Sequence, residues 1–564
     1  MYLSNTISIV LLCATKVVSF QTPLSLSTSS LLSRSSITSL KSTIEDSITI
    51  SSTSSTSSTI DTEPTTEEQQ QDEFNWYKSW YPLVPIEYLD PSKPHQFTLL
   101  GIDMVIWNDT AESEKFEPKK KRKKRFGLFG RSKTNDDDIA RKGQWRAFVD
   151  KCPHRLVPLS EGRVESDGSL LCSYHGWRFN GEGGLIDLPQ SHEKEYNTIK
   201  QNPKSQCNSF PVQIINDVLW IWPESGPDAN LESALTPAPV MPPPTDKHGN
   251  PIPEENILYN TYNFRELPYG ADYFLENVVD PAHVPVSHHN VVGNRYSGPE
   301  PMKITTAKSL TKDGFEFDIQ TSMKTHQEFK APCLVSIDSE VNDQGARQIL
   351  ELYASPSKPG FCNHLGRLVL VKDDDGNVPN AFKQFTMPIP IWMNHLLAAT
   401  FLNQDALFLH AQERVFHRDL NYKTSLSAED EETVQGNASY KKLTFTPTQA
   451  DKGVLLFRDW LRLKAGGRIP FQGGYNEMPP VDNEVVFDQW NSHTAKCQYC
   501  LGAYKNAKKV RLVTGAFALL MTVVRPGGKV ASVASVGLLG GISFASHKVI
   551  GALRRMEFSH AEND

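Results

Sequence analysis

The two stretches CPH at residues 152–154 and CSYH at residues 172–175 decide how this chain folds. Each stretch supplies one thiol and one imidazole, and seventeen residues lie between them. A [2Fe–2S] cluster of mixed ligation needs two thiolates on one iron and two imidazoles on the other, which two such loops provide. Zinc fingers tend to place cysteine with cysteine and histidine with histidine, so a Cys₂His₂ zinc site or unconnected core residues are the weaker alternatives. The four predicted cluster ligands are Cys152, His154, Cys172 and His175.

The residues around these stretches have the composition of short β-strands. Aromatic and β-branched residues are frequent over 76–107, 145–150, 170–172 and 218–222. Gly176 follows the second histidine and leaves room for a tight turn under the cluster. The sequence therefore predicts a small antiparallel β domain in this part of the chain.

A second group of metal-binding residue types begins about a hundred residues further along the chain. Residues 280–288 have the sequence DPAHVPVSH and contain Asp280, His283 and His288. Two imidazoles and one later carboxylate can form a facial triad, which fixes three positions of Fe(II) and leaves the opposite face open for O₂ and substrate. His289 is adjacent, and one of two neighbouring histidines can simply be solvated.

The carboxylate of such a triad has a candidate in residues 403–413, NQDALFLHAQE. Their apolar periodicity predicts a helix with Asp405 near its start, where a carboxylate is favoured. Asp405 is therefore either an iron ligand or only a cap of this helix, and Glu413 is the substitute ligand.

Near the C-terminus, Cys497 and Cys500 form a C-x₂-C motif. Such a pair can close a strained, reducible disulfide, and the lysines nearby should acidify the thiols. We therefore predict a redox switch that is controlled by thioredoxin. Half of a zinc site and two inert thiols are the alternatives. The nearby lysines are Lys496, Lys505, Lys508 and Lys509.

Two apolar segments, at 512–524 and 530–551, follow this motif and are joined by the residues RPGGK. Pro-Gly-Gly breaks a helix and the flanking cations prefer water, so the sequence predicts a membrane helical hairpin over 511–553 with its turn at an interface. The first segment is short for a full span. A pair of buried helices is the alternative.

The N-terminus has the composition of a targeting segment. Residues 7–14 form an apolar run of signal-peptide length, and residues 21–60 are rich in Ser, Thr and Leu with no acidic residue before Glu45. We predict a signal peptide over 1–19, followed by a transit peptide and disordered linker over 20–70. This combination resembles the bipartite presequence of algae with secondary plastids. A plain secretory signal followed by a linker is the alternative.

Residues 119–125 are seven consecutive cations inside an insertion at about 110–142. A nuclear signal, a nucleic-acid patch or a contact with anionic lipid would each fit them, but a surface loop is the expectation. The net charge of −7 argues against nucleic-acid binding, and we predict no nucleic-acid partner. Eight unevenly spaced cysteines in 564 residues favour metal or redox chemistry over a disulfide scaffold.

From about residue 74 to residue 551 the chain resembles the plastid Rieske oxygenases. This family includes pheophorbide a oxygenase, chlorophyllide a oxygenase, the protochlorophyllide-linked oxygenase and the Rieske subunit of the inner-envelope translocon. C-x₂-C before two C-terminal membrane segments is typical of the pheophorbide a oxygenase branch and not of the chlorophyllide a oxygenase branch. The other stretches that carry the resemblance are WYPL at 80–83, DKCPHR at 150–155, LSEG at 159–162 and DPAHVP at 280–285.

The resemblance implies an α+β fold class with two iron domains. An N-terminal antiparallel β Rieske [2Fe–2S] domain would occupy residues 74–235, and a helix-grip-like α+β catalytic domain with mononuclear Fe(II) would occupy residues 250–480. The C-x₂-C segment, 490–510, would then lead into the membrane hairpin.

The resemblance also implies roles for the second motif. His283 and His288 would bind the mononuclear iron, and Asp405 would complete the triad. Asp280 would be the catalytic bridge, which carries the hydrogen-bonded electron path from the cluster and orients a ligand imidazole.

The function that the resemblance implies is a monooxygenase that takes electrons from ferredoxin, activates O₂ and oxygenates an apolar chlorophyll-type tetrapyrrole. Macrocycle opening of pheophorbide a is the leading candidate reaction. The electron would cross to a neighbouring subunit of a homotrimer, in the inner envelope or thylakoid membrane of a secondary plastid. Methyl or catabolite hydroxylation of a protochlorophyllide- or phyllobilin-type pigment is the alternative activity. A redox-sensing electron-transfer subunit of an envelope protein complex is the alternative from another class.

Overall fold

A computed structural model of the chain describes residues 73–109, 143–426, 440–475, 478–524 and 528–563. The predicted targeting segments, 1–19 and 20–70, lie outside the described residues, and so does the basic insertion at about 110–142.

The described residues of the N-terminal part form three small antiparallel sheets, which confirms the predicted antiparallel β structure. Their orders are β1-β11-β10, β2-β3-β4-β9 and β5-β6-β7-β8. The strands are β1 Tyr81–Pro85, β2 His95–Leu99, β3 Ile102–Asn108, β4 Trp145–Val149, β5 Arg163–Val164, β6 Leu170–Leu171, β7 Arg178–Phe179, β8 Leu185–Asp187, β9 Ser209–Phe210, β10 Val212–Ile215 and β11 Val218–Ile221. The described residues of this part also include the helices α1 Glu193–Lys200 and α2 Pro227–Leu235.

The predicted cluster thiols lie in a small apolar core of this part. Trp107 of β3 and Phe148 of β4 pack in one buried cluster with Cys152 and Cys172. Burial of aromatic side chains on this scale contributes on the order of 2 kcal/mol each, which fixes the loops that hold the thiols.

An eight-stranded antiparallel sheet forms the centre of the second part. Its order is β12-β19-β18-β17-β16-β15-β14, and β13 pairs with β19 beside β12. The strands are β12 Ile257–Tyr259, β13 Asn263–Leu267, β14 Lys303–Thr311, β15 Gly314–Gln320, β16 Lys324–Lys330, β17 Leu334–Glu340, β18 Arg347–Lys358 and β19 Phe361–Val371.

The helices of the second part position the second motif against this sheet. The longest, α5, packs against β13 and α3, and α7 packs against α3. The helices are α3 Ala271–Val278, α4 Val284–Ser287, α5 Ile391–Leu426, α6 Tyr440–Leu443, α7 Lys452–Lys464 and α8 Asn483–Val486.

One hydrophobic core joins the two parts. Phe97 of β2 lies 6.1 Å from Phe264 of β13, measured between ring centroids. Trp220 of β11 lies 5.5 Å from Tyr353 of β18, edge to face. All four side chains belong to a single buried cluster. The domain boundaries at 235 and 250 stay a prediction, and the two parts share their largest core.

The C-terminal tail forms two packed helices, α9 Gln498–Val524 and α10 Gly528–Ala552. The hydroxyl of Ser543 on α10 donates to the carbonyl of Arg511 on α9 at 3.2 Å, so the helices lie side by side as a hairpin. Within the described residues, one helical segment is long and apolar enough to cross a membrane, Val530–Ala552, with a mean hydropathy of 1.4. The predicted segment at 512–524 is the second half of α9.

Gly453 allows α7 to approach the chain just before the second motif. A Cβ at this position would lie 2.2 Å from the carbonyl oxygen of Val279, which directly precedes Asp280. We expect Gly453→Ala to lower the free energy of unfolding by about 1 to 3 kcal/mol, since backbone or helix must shift. Thermal unfolding followed by circular dichroism measures this. Gly502→Ala is the matched control, because its Cβ meets nothing within 4 Å. Equal melting temperatures for the two variants would contradict the close approach.

Candidate iron centres

The two cluster loops close with the same hydrogen bonds. In each loop the cysteine N–H donates to the carbonyl five residues on, at 2.8 Å from Cys152 and 2.8 Å from Cys172. The residue four positions after each cysteine donates back to the cysteine carbonyl, at 2.8 Å from Leu156 and 3.0 Å from Gly176. Both of these residues have positive φ, 61° and 76°, which the tight turn requires.

The thiols and the imidazoles of the two loops differ in their exposure to solvent. Cys152 and Cys172 are buried beside each other, whereas His154 is exposed and His175 half-buried. The two imidazole centroids lie 4.6 Å apart, and Trp177 stacks on His154 at 4.7 Å. Two thiols on one side and two imidazoles on the other can form the donor set of a [2Fe–2S] cluster of mixed ligation.

The thiols fit a metal cluster for an electrostatic reason as well. Burial raises the pKa of the Cys152 thiol to about 12. A thiolate at this position therefore needs a cation beside it, and a bound iron ion would supply that charge. The four residues of the first motif are thus able to hold the predicted cluster.

The second motif and α5 bring three donor groups together. His283, His288 and Asp405 each offer one ligand atom, and these atoms all lie within 4.8 Å of one another. The Asp405 Oδ2 lies 3.1 Å from the His288 Nε2 and 3.7 Å from the His283 Nε2. Two imidazoles and one carboxylate at these distances can hold one iron ion with positions left open.

Hydrogen bonds select which imidazole nitrogen faces the centre. The His283 Nδ1 contacts the carbonyl oxygen of Asp280 at 2.6 Å, and the His288 Nδ1 contacts the Gln404 Oε1 at 3.1 Å. Both partners are acceptors, because the Gln404 amide nitrogen donates to the His289 carbonyl. Each Nδ1 therefore carries a proton, and each Nε2 faces Asp405, where it can offer a lone pair to a metal ion or, when protonated, donate to the carboxylate.

Asp405 lies in the middle of α5, so the prediction that it stands near the start of a helix is wrong. The helix begins at Ile391, directly after Pro390. It continues past Asp405 because the residues between contain no helix breaker. No unpaired N–H of a helix terminus is available there, so the capping alternative fails. The Ser287 hydroxyl donates to this buried carboxylate instead.

Burial and charge attraction have opposite effects on the pKa of the Asp405 carboxyl. Burial would raise the pKa of the Asp405 carboxyl, but the hydrogen bond and charge attraction of His288, followed by the effect of His283, hold it below its ordinary value. Burial lowers the pKa of His283. The arrangement therefore favours a carboxylate beside an unprotonated imidazole, which is the protonation state that metal ligands need.

Glu413 and His289 stand apart from this group of donors. Glu413 is buried two turns further along α5 and accepts a hydrogen bond from the Gly270 N–H at 3.0 Å. His289 is buried rather than solvated, and its Nδ1 accepts from the Arg295 N–H at 3.1 Å. Neither residue joins the described metal-binding group, so the geometry favours Asp405 over Glu413 as the third ligand.

The C-x₂-C motif has two partners that sequence reasoning missed. Cys497 and Cys500 are free thiols, 1% and 0% exposed, and the imidazoles of His395 and His493 lie beside them. The spacing H-x₃-C-x₂-C from 493 to 500 could have suggested one of the histidines. Nothing in the sequence signals His395, which comes from α5. The predicted redox switch stays a prediction.

Two family models match the chain. A Rieske [2Fe–2S] domain matches residues 79–211, and a pheophorbide a oxygenase domain matches residues 329–421. The first range contains the two cluster loops, and the second contains β17 to β19 and the part of α5 with Asp405. The fold and the two donor sets define a Rieske non-haem iron oxygenase, with a [2Fe–2S] cluster and a mononuclear iron as cofactors.

Relatives that match most of the chain identify the family within this class. The chain is 32% identical to pheophorbide a oxygenase of Oryza sativa subsp. japonica, over 84% of this chain and 79% of that protein. It is also 32% identical to pheophorbide a oxygenase of Arabidopsis thaliana, over 78% of this chain and 74% of that protein. The chain belongs to the pheophorbide a oxygenase family.

A solved structure of dicamba monooxygenase bound to dicamba is also similar. It has a TM-score of 0.43 and 15% sequence identity, and the match covers 69% of this chain and 98% of that one.

Burial raises the pKa of Glu413 to about 8, against about 4.3 in an unfolded chain. The folded state therefore binds more protons between about pH 4.3 and pH 8, so the Glu413 contribution to stability is lost as the pH rises through this window. We expect Glu413→Gln to flatten the decline of the melting temperature from pH 5 to pH 9. Glu484→Gln, at an exposed side chain, is the control. Parallel curves for both variants and the unaltered protein would contradict this account.

Proposed function

We propose that this chain is a plastid membrane monooxygenase that uses O₂ and electrons from ferredoxin to oxygenate a chlorophyll-derived tetrapyrrole. Macrocycle opening of pheophorbide a is the leading reaction. The observation that carries the proposal is the meeting of His283, His288 and Asp405 in a chain that also contains the two cluster loops. The 32% identity to pheophorbide a oxygenase from rice supports the substrate class.

The three donors of the second motif have separate tasks in this proposal. A mononuclear iron held by them would supply the activation of O₂. His283 and His288 would bind through their Nε2 atoms, because their Nδ1 atoms are held by other partners. Asp405 would supply the anionic oxygen, and the Ser287 hydroxyl keeps the carboxylate turned toward the imidazoles.

The contacts of Asp280 support its proposed role in bringing electrons to this site. Its carbonyl holds the His283 imidazole, and its carboxylate Oδ2 lies 3.8 Å from the same Nδ1. The Asp280 side chain is 28% exposed, and the cluster imidazole of His154 is exposed as well. Exposure of both groups supports transfer across a subunit interface, as in a homotrimer wired head to tail.

The exposed side of the donor group supports an apolar substrate. The His283 side chain is 18% exposed, whereas that of His288 is 1% exposed, so the centre opens on the His283 side. Val284 and Val286, which follow His283 in the chain, are exposed at the surface. Exposed apolar side chains beside a metal centre favour a substrate that is itself apolar.

The proposed location is a plastid membrane, either the inner envelope or a thylakoid, of a secondary plastid. The apolar segment Val530–Ala552 of α10 supports membrane attachment, and 11% of its most apolar window is buried. The targeting composition of residues 1–70 supports the plastid. A membrane-anchored enzyme can bind a lipid-soluble pigment directly from the membrane, so the pigment need not first enter the aqueous phase.

Two alternatives keep the same cofactors. Hydroxylation of a methyl group or of a pigment catabolite would use the same donors and differ only in how substrate lies against them. A redox-sensing electron-transfer subunit would need no mononuclear site, so the group His283, His288 and Asp405 counts against it.

Loss of the third ligand should abolish turnover of the pigment and leave the [2Fe–2S] cluster intact. We expect Asp405→Asn to lose about one of three irons per chain and at least a hundredfold of turnover, because a neutral amide binds Fe(II) poorly. Iron and acid-labile sulfide analysis, with ferredoxin-driven loss of pheophorbide a absorbance, measures both. A panel with protochlorophyllide and phyllobilins distinguishes the alternative reactions.

Glu413→Gln is the matched control for that experiment, since Glu413 lies on the same helix and binds Gly270 instead. It should keep its three irons and its turnover. Full turnover in Asp405→Asn, or loss of iron in Glu413→Gln but not in Asp405→Asn, would reverse the ligand assignment. No turnover of any tetrapyrrole by the unaltered, iron-replete protein would refute the substrate class.

Asp280→Asn should slow electron delivery without removing either metal. The carboxylate beside His283 would be lost, whereas the backbone carbonyl that holds the Nδ1 would remain. We expect at least a tenfold slower reoxidation of the reduced cluster by O₂ with substrate, measured by stopped-flow absorbance, at unchanged iron content. Asp318→Asn, at a half-exposed aspartate of β15, is the control. Unchanged reoxidation rates would exclude Asp280 from the electron path.

A further inference from the structure

Four buried side chains meet where the second part of the fold joins the C-terminal tail. They come from α5, from the turn before α9 and from the first residues of α9, and their ligand atoms lie within 4.8 Å of one another. All four side chains are nearly inaccessible to water. The residues are His395, His493, Cys497 and Cys500.

The distances within this group are close to those of a tetrahedral metal site. The Cys500 Sγ lies 3.3 Å from the His395 Nδ1 and 3.2 Å from the His493 Nε2. The Cys497 Sγ lies 3.8 Å from the His395 Nδ1, and the two imidazole nitrogens are 3.0 Å apart. In a tetrahedral zinc site, bonds of about 2.3 Å to sulfur and about 2.0 Å to nitrogen give ligand separations of about 3.3 to 3.8 Å.

The imidazoles are held in the orientation that ligands need. The His395 Nε2 lies 3.2 Å from the carbonyl oxygen of Tyr262, and the His493 Nδ1 is hydrogen-bonded to the carbonyl of Phe264. A carbonyl oxygen can only accept, so these two nitrogens carry the protons. Each carbonyl thus fixes the imidazole that it binds, as outer partners of metal-bound histidines do.

This orientation leaves two lone pairs facing each other inside the core. The His395 Nδ1 and the His493 Nε2 are the nitrogens that meet at 3.0 Å. If both imidazoles are neutral, neither has a proton to place between these atoms, and the contact is repulsive. A cation between them removes the repulsion, and the two thiols beside it can supply the opposite charge.

We propose that His395, His493, Cys497 and Cys500 bind one zinc ion in a closed structural site. Two sulfur and two nitrogen donors in tetrahedral arrangement select zinc among common ions. Binding releases the two thiol protons to solvent and leaves no coordination position for substrate. The site is separate from both iron centres, and the inference does not depend on the proposed function.

The proposal gives the C-x₂-C motif a different task from the predicted redox switch. Thiol–disulfide exchange with a protein such as thioredoxin requires an accessible sulfur atom. Cys497 and Cys500 are both buried, and each is within contact distance of an imidazole nitrogen. Buried thiols with converging imidazoles favour a metal site over an exchange site.

The zinc site would join several parts of the molecule. His395 stands on the helix that carries Asp405 ten residues further on, and the backbone carbonyls of Tyr262 and Phe264 belong to the β13 region. The Tyr88 ring, from the N-terminal part, lies 4.9 Å from the His395 ring. One ion would therefore connect the base of the tail to the elements that position the second motif.

X-ray absorption at the zinc edge tests the proposal on the unaltered chain. The protein is purified in detergent without a polyhistidine tag, and zinc, iron and acid-labile sulfide are measured together. We expect about one zinc per chain with two sulfur neighbours at about 2.3 Å and two nitrogen neighbours at about 2.0 Å. Zinc bound by nitrogen and oxygen alone, as in the mononuclear iron site, would overturn the proposal.

Variants and thiol chemistry give an independent answer. Cys497→Ser with Cys500→Ser should lose the zinc and keep the acid-labile sulfide and the visible spectrum of the cluster. Cys333→Ser, at a buried cysteine outside the group, should keep the zinc. A disulfide between Cys497 and Cys500 in the purified protein, found by mass spectrometry, would overturn the proposal. Zinc-free protein with both thiols open to alkylation would do so as well.

Discussion

A metal-binding nitrogen must be free of its proton, and inside a protein the hydrogen bonds of the fold decide which nitrogen that is. In this chain backbone carbonyls make most of that choice. The carbonyl of Asp280 holds the Nδ1 of His283, and the carbonyl of Phe264 holds the Nδ1 of His493. Because a carbonyl only accepts, the opposite nitrogen of each ring is left with a lone pair. The sheet and loops thus prepare the donor sets before any metal arrives.

The long helix α5 carries one donor residue of each of the two metal-binding groups, His395 and Asp405. Ten residues separate His395 from Asp405, which is about 15 Å along a helix axis. Arg265 of β13 donates to Asn403 on the same helix at 2.6 Å, so the helix is fixed to the sheet between its two donor residues. A shift of the helix along its axis would therefore move both donor residues together.

Metal-binding residues that lie in one short motif could be predicted from the sequence. Residues that the fold brings to a site from a distant part of the chain could not. Cys152 with His154 and His283 with His288 lie a few residues apart, so local spacing indicated their chemistry. The structure brings Asp405 beside the two histidines, as the sequence predicts, but the predicted start of its helix is wrong, because apolar periodicity marks a helix better than its first residue. His395 had no local signal, since its partners lie about a hundred residues further along the chain. The burial of His289 likewise depends on contacts that only the folded chain makes.

The hydrophobic core that runs through both parts has a consequence for how such a protein can change. Phe97 against Phe264 and Trp220 against Tyr353 are contacts between the cluster-bearing part and the catalytic sheet. A chimera that exchanged either part for that of a distant relative would meet mismatched aromatic surfaces and leave gaps between them. New substrate preferences are therefore easier to reach by altering loops around the second motif than by recombining whole domains.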